Sequence, residues 1–325
     1  MKLATPTEIA ENLKHKHYGL SKHGAVQICL WTKKALRNEG VCYKEKFYDA
    51  HCHRCMEMTP LAVWCNQNCI FCWRPSEWLN LNDLKKELEK PEEMVEKLIE
   101  KRKKLLSGFG GSVKKYKTER LFKESLIPDH FAISLSGEPT LYKKLPGLIK
   151  LLKEKYKART VFLVTNGSQP EMLLKLQKER ALPIQLYISF ESPNENDFLK
   201  TNKPRSKNAW KTLMRTFSIL PKLDVRKVIR ITLMKNINDS EEKIKQFSMI
   251  INESFADFVE LKSYMHVGSS RERLKKENML EHKEIKEISK KFLKYLKNFR
   301  YEDEQKESRI VLLKNKKSPY KTKFD

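Results

Sequence analysis

The chain has 325 residues, of which 40% are hydrophobic and 33% charged, so it can bury a large core. Lysine and arginine number 66 against 41 aspartates and glutamates, and the net charge of +25 favours nucleic acid as a partner. No stretch approaches the roughly 18 apolar residues that a membrane helix needs, and seven cysteines confined to positions 29–72 do not fit a secreted disulfide scaffold.

The first twenty residues contain no unbroken apolar run, so we expect no signal peptide. An odd number of cysteines gathered in one segment predicts reduced thiols that bind metal in a cytoplasmic protein. We also expect a monomer without membrane contact. Basic runs at 101–104, 114–120 and 314–324 are candidate contacts for phosphate groups.

In chain order, residues 1–60 predict an irregular segment in which cysteine, histidine and aromatic residues alternate. From residue 61 onward, β-rich runs alternate with helical patterns. The predicted strands lie at 61–65, 130–136, 160–166, 184–190, 227–234 and 257–265. Helical patterns cover 83–106, with a break at Pro91, and also 145–156 and 241–254. The glycine-rich stretch 107–118 is predicted to be a mobile loop.

Six strand–helix repeats predict an α/β fold, in which helices cover a parallel sheet that curls into a full or partial barrel. We expect a cysteine-rich domain at 1–60, a barrel at 61–300, and a C-terminal strand with a basic tail at 301–325. In barrels of this kind the chemistry lies where strands end. Motifs that follow the predicted strands are therefore candidate site residues.

The motif WCNQNCIFCW (64–73) contains Cys65, Cys69 and Cys72 in the spacing C-x3-C-x2-C. We call these three residues the downstream trio. Four thiolates close a zinc or iron–sulfur site, whereas three thiolates on a cubane of four irons leave one iron open. A zinc knuckle would need a fourth ligand nearby, and no histidine follows within about fifty residues. The spacing therefore favours a [4Fe–4S] cluster.

The downstream trio, with the aromatic Phe71 before its last cysteine, resembles the signature of radical S-adenosylmethionine enzymes. The resemblance implies a radical-SAM-type (β/α)6 partial TIM barrel with an N-terminal cysteine-rich extension. It also implies that the open iron chelates the amine and carboxylate of S-adenosylmethionine, whose reductive cleavage yields a 5′-deoxyadenosyl radical.

Three further motifs support this resemblance, each at a predicted strand end. SLSGEPTL (134–141) is similar to the family's Gly-Gly-Glu motif, so Ser136, Gly137 and Glu138 would bind the methionine amine. Serine replaces the first glycine of that motif. Asn166 in VTNGS would help to hold the methionine or ribose part, and Ser189 in YISFES would lie near the ribose.

Cys29, Cys42 and Cys55, the upstream trio, extend the pattern to C-x12-C-x12-C-x9-C-x3-C-x2-C. This pattern resembles the archaeal wyosine-biosynthesis radical S-adenosylmethionine enzymes, the tRNA 4-demethylwyosine synthases. The resemblance implies a second [4Fe–4S] cluster on the upstream trio. It also implies condensation of pyruvate with N1-methylguanosine beside the anticodon of tRNA-Phe, giving a tricyclic base.

The same resemblance assigns Lys44, two residues after Cys42, to a Schiff base with pyruvate. An electron donor such as a ferredoxin or flavodoxin is a further expected partner. Alternatives remain open at this point, because Lys44 could be a solvated surface lysine. Cys52 forms C-x2-C with Cys55, so four upstream cysteines could bind zinc. The chain could then be an RNA-binding zinc protein without catalysis, or a radical enzyme with another substrate.

Overall fold

The computed structural model describes residues 6–74 and 88–324, which form two compact units. The first unit comprises residues 6–65, 88–164 and 178–184. The second comprises residues 66–74, 165–177 and 185–324. Within the described ranges, no helix is both long enough and apolar enough to span a membrane.

In the first unit, an N-terminal group of short elements precedes parallel strands. The helices are α1 (Pro6–His15), α2 (Leu30–Leu36), α3 (Tyr43–Tyr48), α4 (Pro91–Leu106), α5 (Val113–Tyr116), α6 (Glu119–Ser125) and α7 (Leu145–Glu154). The strands are β1 (Tyr18–Leu20), β2 (Ala25–Gln27), β3 (Cys55–Thr59), β4 (His130–Ile133) and β5 (Thr160–Thr165). Strands β1, β2 and β3 pair antiparallel, whereas β3, β4 and β5 pair parallel in that order.

Helix α4 illustrates how the sequence builds this unit. Pro91 stands at its first turn, where a missing N–H costs nothing, and Lys103 and Lys104 complement the dipole at its end. Its buried residues include a stripe with a period of four: Met94, Leu98, Arg102 and Leu106. This face packs against β1 and β2.

The second unit contains a parallel sheet extended by an antiparallel hairpin. Its helices are α8 (Pro170–Lys178), α9 (Glu195–Thr201), α10 (Ala209–Ile219), α11 (Glu241–Glu253) and α12 (His282–Tyr295). Its strands are β6 (Gln185–Ser189), β7 (Arg226–Leu233), β8 (Phe258–Ser263), β9 (Phe299–Gln305) and β10 (Ile310–Asn315). Strands β6, β7 and β8 are parallel, and β10 lies antiparallel between β8 and β9.

The five strands predicted from residue 130 onward are confirmed as β4 to β8, each within three residues. The first strand prediction is wrong, because 61–65 is not a strand and β3 lies earlier, at Cys55–Thr59. Pro60 follows β3 and has no N–H for a ladder. The apolar character of 61–65 has another cause, since Leu61 and Ala62 are buried in a turn.

Two expectations of irregular structure are also wrong. The segment 1–60 contains α1 to α3 and β1 to β3, and residues 107–118 form a 3-10 helix, Ser107–Ser112, followed by α5. Phe109 packs against the apolar cluster that contains Ile28 and Leu106, which anchors the glycine-rich stretch. Helix α4 begins at Pro91, and residues 83–87 of the predicted pattern lie outside the described residues.

Candidate active site

Two members of the upstream trio stand at helix starts in the first unit. The Cys29 thiol caps α2 and accepts the backbone N–H of Thr32 at 3.4 Å. The Cys42 thiol caps α3 and accepts the backbone N–H of Lys44 at 3.5 Å. Cys55 is the first residue of β3, and all three cysteines are half-buried. Donated N–H groups favour the thiolate form that binds metal.

The upstream trio and Lys44 are electrostatic neighbours. Burial raises the pKa of the Cys55 thiol, Cys29 and Cys42 raise it further, and the Lys44 ammonium lowers it. Burial also raises the pKa of the Cys29 thiol. The fold thus gathers three thiols and one amine from separate parts of residues 29–55 in one region of the first unit.

Lys44 is half-buried, and its Nζ lies 4.5 Å from the centroid of the Phe162 ring. Its charge also acts on Glu57, where burial raises the pKa to about 7 and Lys44 lowers it. Sequence reasoning missed both neighbours. Glu57 follows Cys55 by two residues on β3, and Phe162 lies on β5, far away in sequence.

Cys52 differs from the upstream trio because it is fully buried. Its thiol donates to the Trp31 carbonyl at 3.7 Å and accepts the Cys42 N–H at 3.5 Å. Across residues 6–74 and 88–324, no three His, Cys, Asp or Glu side chains are arranged to hold a metal ion. The four-cysteine zinc alternative therefore has no support in this geometry. A cubane makes a different demand, because its cysteines bind separate irons.

The turn at Ser136–Glu138 holds the segment that precedes Cys65, all within the first unit. The Ser136 hydroxyl donates to the Ala62 carbonyl at 2.7 Å, and the Glu138 N–H donates to the Trp64 carbonyl at 2.8 Å. The Ser136 hydroxyl thus contacts the cysteine loop, and the Ser136 carbonyl accepts the Thr59 hydroxyl at 2.6 Å. Its binding of the methionine amine stays a prediction.

Gly137 has φ +69°, in the left-handed region. A Cβ there would lie 1.9 Å from the Leu61 carbonyl oxygen, so only glycine permits this close approach. The Glu138 carboxylate is buried and accepts the Thr140 N–H at 3.0 Å. The Ser136–Glu138 turn and the segment that precedes Cys65 are therefore packed directly against each other.

In the second unit, the loop at 66–74 carries Cys69 and Cys72. The N–H of Asn68 donates to the Asn202 carbonyl at 3.1 Å, and that of Ile70 donates to the Thr201 carbonyl at 2.9 Å. The Asn202 side-chain amide is buried and donates to the Cys69 thiol at 3.8 Å. The end of α9 thus fixes the middle of the loop.

Arg273 fixes the end of the same loop. Its guanidinium donates to the carbonyls of Ile70 at 3.2 Å and Arg74 at 3.3 Å, and also to the Cys72 carbonyl. Gly268, at φ +57°, allows the backbone to approach Trp73, whose carbonyl oxygen would lie 2.3 Å from a Cβ. Sequence reasoning missed Arg273 and Asn202, because nothing local marks either residue.

Asn166 and Ser189 both lie in the second unit at strand ends. The Asn166 amide donates to the Asn66 side chain at 2.9 Å, so it contacts the first residue of the loop. Ser189 ends β6 opposite Arg230 of β7. Their contacts with S-adenosylmethionine stay predictions.

The basic run 101–104 requires one correction. Lys101, Lys103 and Lys104 are exposed, but Arg102 is 1% exposed and cannot be a surface contact for phosphate. The physical reason is the buried stripe of α4, on which every fourth residue faces the core.

Comparison with known proteins identifies the family. Residues 59–248 match the radical SAM superfamily, and residues 253–315 match a family described as wyosine base formation. The S-adenosyl-L-methionine-dependent tRNA 4-demethylwyosine synthase of Pyrococcus abyssi is 41% identical over 310 residues, covering 95% of this chain and 89% of that protein. The chain belongs to this family.

Two further comparisons agree. The synthase of the same name from Methanocaldococcus jannaschii is 38% identical, covering 95% of this chain and 96% of that protein. A solved structure described as TYW1 with a lysine-pyruvate adduct bound matches with a TM-score of 0.85 and 36% identity over 97% of both chains. The expected radical-SAM-type α/β fold is therefore confirmed.

Family membership makes the chain a radical enzyme that uses S-adenosylmethionine and a [4Fe–4S] cluster. The alternative of a zinc protein without catalysis is excluded. The donor set fits the cluster, because the three cysteines of the downstream trio are half-buried and thiolates are its usual ligands.

Proposed function

We propose that the chain condenses pyruvate with N1-methylguanosine beside the anticodon of tRNA-Phe and forms the tricyclic base 4-demethylwyosine. The names of its relatives support the reaction, and the lysine-pyruvate adduct of a relative supports pyruvate as the carbon donor. The observation that carries the proposal is the neighbourhood of Lys44, a half-buried amine among the upstream thiols.

Each cysteine trio would hold one [4Fe–4S] cluster in this proposal. The downstream trio would hold the cluster that, with S-adenosylmethionine bound, would supply the carbon radical required by the inert C–H bond of an N-methyl group. The protein's part in the first unit is to hold the segment before Cys65 through the Ser136–Glu138 turn. In the second unit it is to hold the loop at 66–74 through Asn202 and Arg273. Asn166 and Ser189 would orient the ribose and methionine parts.

Lys44 supplies the covalent step on pyruvate. Its neutral amine attacks the keto carbon, and loss of water with uptake of one proton from solvent gives an iminium that withdraws electrons from the adjacent carbon–carbon bond. The Phe162 ring, 4.5 Å from Nζ, stabilises positive charge at this nitrogen. The ring therefore favours the iminium over the uncharged species that precede it, because the iminium is cationic.

The proposed tRNA surface lies in the first unit. A pocket of about 190 Å³ there is lined by three basic and three apolar side chains: His17, Lys33, Arg37, Ile28, Leu105 and Phe109. Cations that bind phosphate beside a ring on which a base stacks suit single-stranded RNA. Lys103 and Lys104 extend this basic surface along α4. A ferredoxin or flavodoxin as electron donor, a monomeric state and a cytoplasmic location complete the proposal.

Replacement of Lys44 tests the covalent step. We expect Lys44→Ala to abolish the borohydride-trapped pyruvate adduct and the tricyclic product on tRNA-Phe that carries N1-methylguanosine. Reductive cleavage of S-adenosylmethionine should persist, because the downstream trio is unchanged. Mass spectrometry of the trapped protein and nucleoside analysis of the tRNA measure the two losses.

Lys46→Ala is the matched control, because Lys46 lies on the same helix but is exposed. That variant should keep the adduct, the product and the cleavage activity. An adduct on another lysine, or full product formation by Lys44→Ala, would contradict the proposed role.

A further inference from the structure

Arg102 is a buried cation that contacts Cys55, the last cysteine of the upstream trio. Its guanidinium donates to the carbonyls of Cys55 at 3.0 Å and His53 at 3.1 Å, and also to the Ser125 carbonyl. The side chain is 1% exposed, and its Nε has no hydrogen-bond partner among the described residues. A guanidinium is therefore enclosed by carbonyl groups at the start of β3.

The charge of Arg102 has no carboxylate partner in residues 6–74 and 88–324. The acidic groups whose charges act on Arg102 are the thiols of Cys55 and then Cys29. An unpaired buried charge is costly, because burial removes the hydration of the ion. The thiols of Cys55 and Cys29 are thus the acidic groups that can compensate this cation.

Thiols compensate a cation only as thiolates, and metal binding is what converts cysteine thiols into thiolates at neutral pH. We infer that Arg102 is the counter-charge of the upstream trio: it positions Cys55 through the backbone and stabilises the anionic, cluster-bound state. This inference rests on the proposed second cluster. It makes Arg102 a positioning residue and excludes a role in binding tRNA.

The downstream trio has a comparable arginine. Arg273 donates to the carbonyls of alternate residues in its loop, among them Cys72, the last cysteine of that trio. Arg102 likewise donates to the carbonyls of His53 and Cys55, of which Cys55 is the last cysteine of the upstream trio. The same backbone contact therefore recurs at both trios, on elements from different units.

The test uses the full-length chain with the downstream trio replaced by alanine, so that only the upstream cluster remains. Iron content and the midpoint potential, followed by electron paramagnetic resonance, are measured for Arg102→Met and Arg102→Lys. A nearby positive charge favours the more negative, reduced cluster. We expect Arg102→Met to lower the ratio of reduced to oxidised cluster about tenfold at a given potential, which for one electron is about 59 mV.

Arg102→Lys keeps the charge, so its potential should stay close to that of the parent. Lys101→Met, at an exposed position on the same helix, should leave the potential unchanged. Loss of iron by the Met variant with retention by the Lys variant would also support the inference. Loss of iron by both Arg102 variants, or an unchanged potential in Arg102→Met, would overturn the inference about Arg102 but not the proposed second cluster. A parent protein that takes up no iron would instead refute the second cluster, and the inference with it.

Discussion

Glu191 offers a quantitative test of the second unit. It follows β6 by two residues, and its carboxyl group is 3% exposed. Burial raises the pKa of Glu191 to about 7, although a hydrogen bond from the Thr232 hydroxyl (3.3 Å) and the charge of Arg230 act in the opposite direction. In the folded protein this carboxyl group therefore holds its proton more tightly than it does in the unfolded chain.

The change to test is Glu191→Gln, which removes the titration and keeps the size. The difference between 4.5 and about 7 corresponds to about 3 kcal/mol. Because the folded-state pKa is the higher one, the stability from this group is complete below about pH 4.5 and is lost as the pH rises through about 7. The variant should therefore gain about 3 kcal/mol relative to the parent between pH 4.5 and 7.5.

Urea unfolding of both proteins at several pH values, followed by circular dichroism, measures this difference. The gain should level off above about pH 8, where the parent carboxyl is largely ionised. Glu253→Gln is the control, because Glu253 is exposed at the end of α11 and should show no comparable pH-dependent gain. A difference between parent and Glu191→Gln that stays constant from pH 4.5 to 7.5 would refute the reasoning.

Three further predictions concern the clusters and the tRNA surface. Gly137→Ala should lower S-adenosylmethionine cleavage at least about tenfold, since a Cβ would strike the Leu61 carbonyl and displace the loop, whereas Gly108→Ala, in open space, should leave it unchanged. Reconstituted protein should carry about eight irons by chemical assay, and about four after the downstream trio is replaced by alanine; saturation at four irons with one zinc would contradict a second cluster. Lys103→Glu combined with Lys104→Glu should weaken tRNA binding without affecting cleavage, and affinity should fall steeply with salt in the parent. Equal tRNA affinities of the parent and the variant, or an affinity that does not change with salt, would show that this surface makes no phosphate contacts.

Much of the fold was predictable because its signals are local. The apolar runs of β4 to β8 carry their own period and fix strand positions within three residues. The first strand was not predictable in this way, since 61–65 has the same apolar composition but is buried as a turn against the Ser136–Glu138 segment. Composition reports burial, and burial alone does not distinguish a core strand from a core turn.

By itself, the sequence determined the two cysteine trios and the turn motif at Ser136–Glu138. These motifs can be recognised without a structure, because the spacing of cysteines is visible in the sequence and the chemistry of a thiolate belongs to the residue itself. The tertiary structure decided which cations serve the trios. Arg102 is 47 positions from Cys55, and Arg273 is 201 positions from Cys72. In a chain with 66 lysines and arginines, only packing reveals which guanidinium loses its water and which backbone carbonyls replace it.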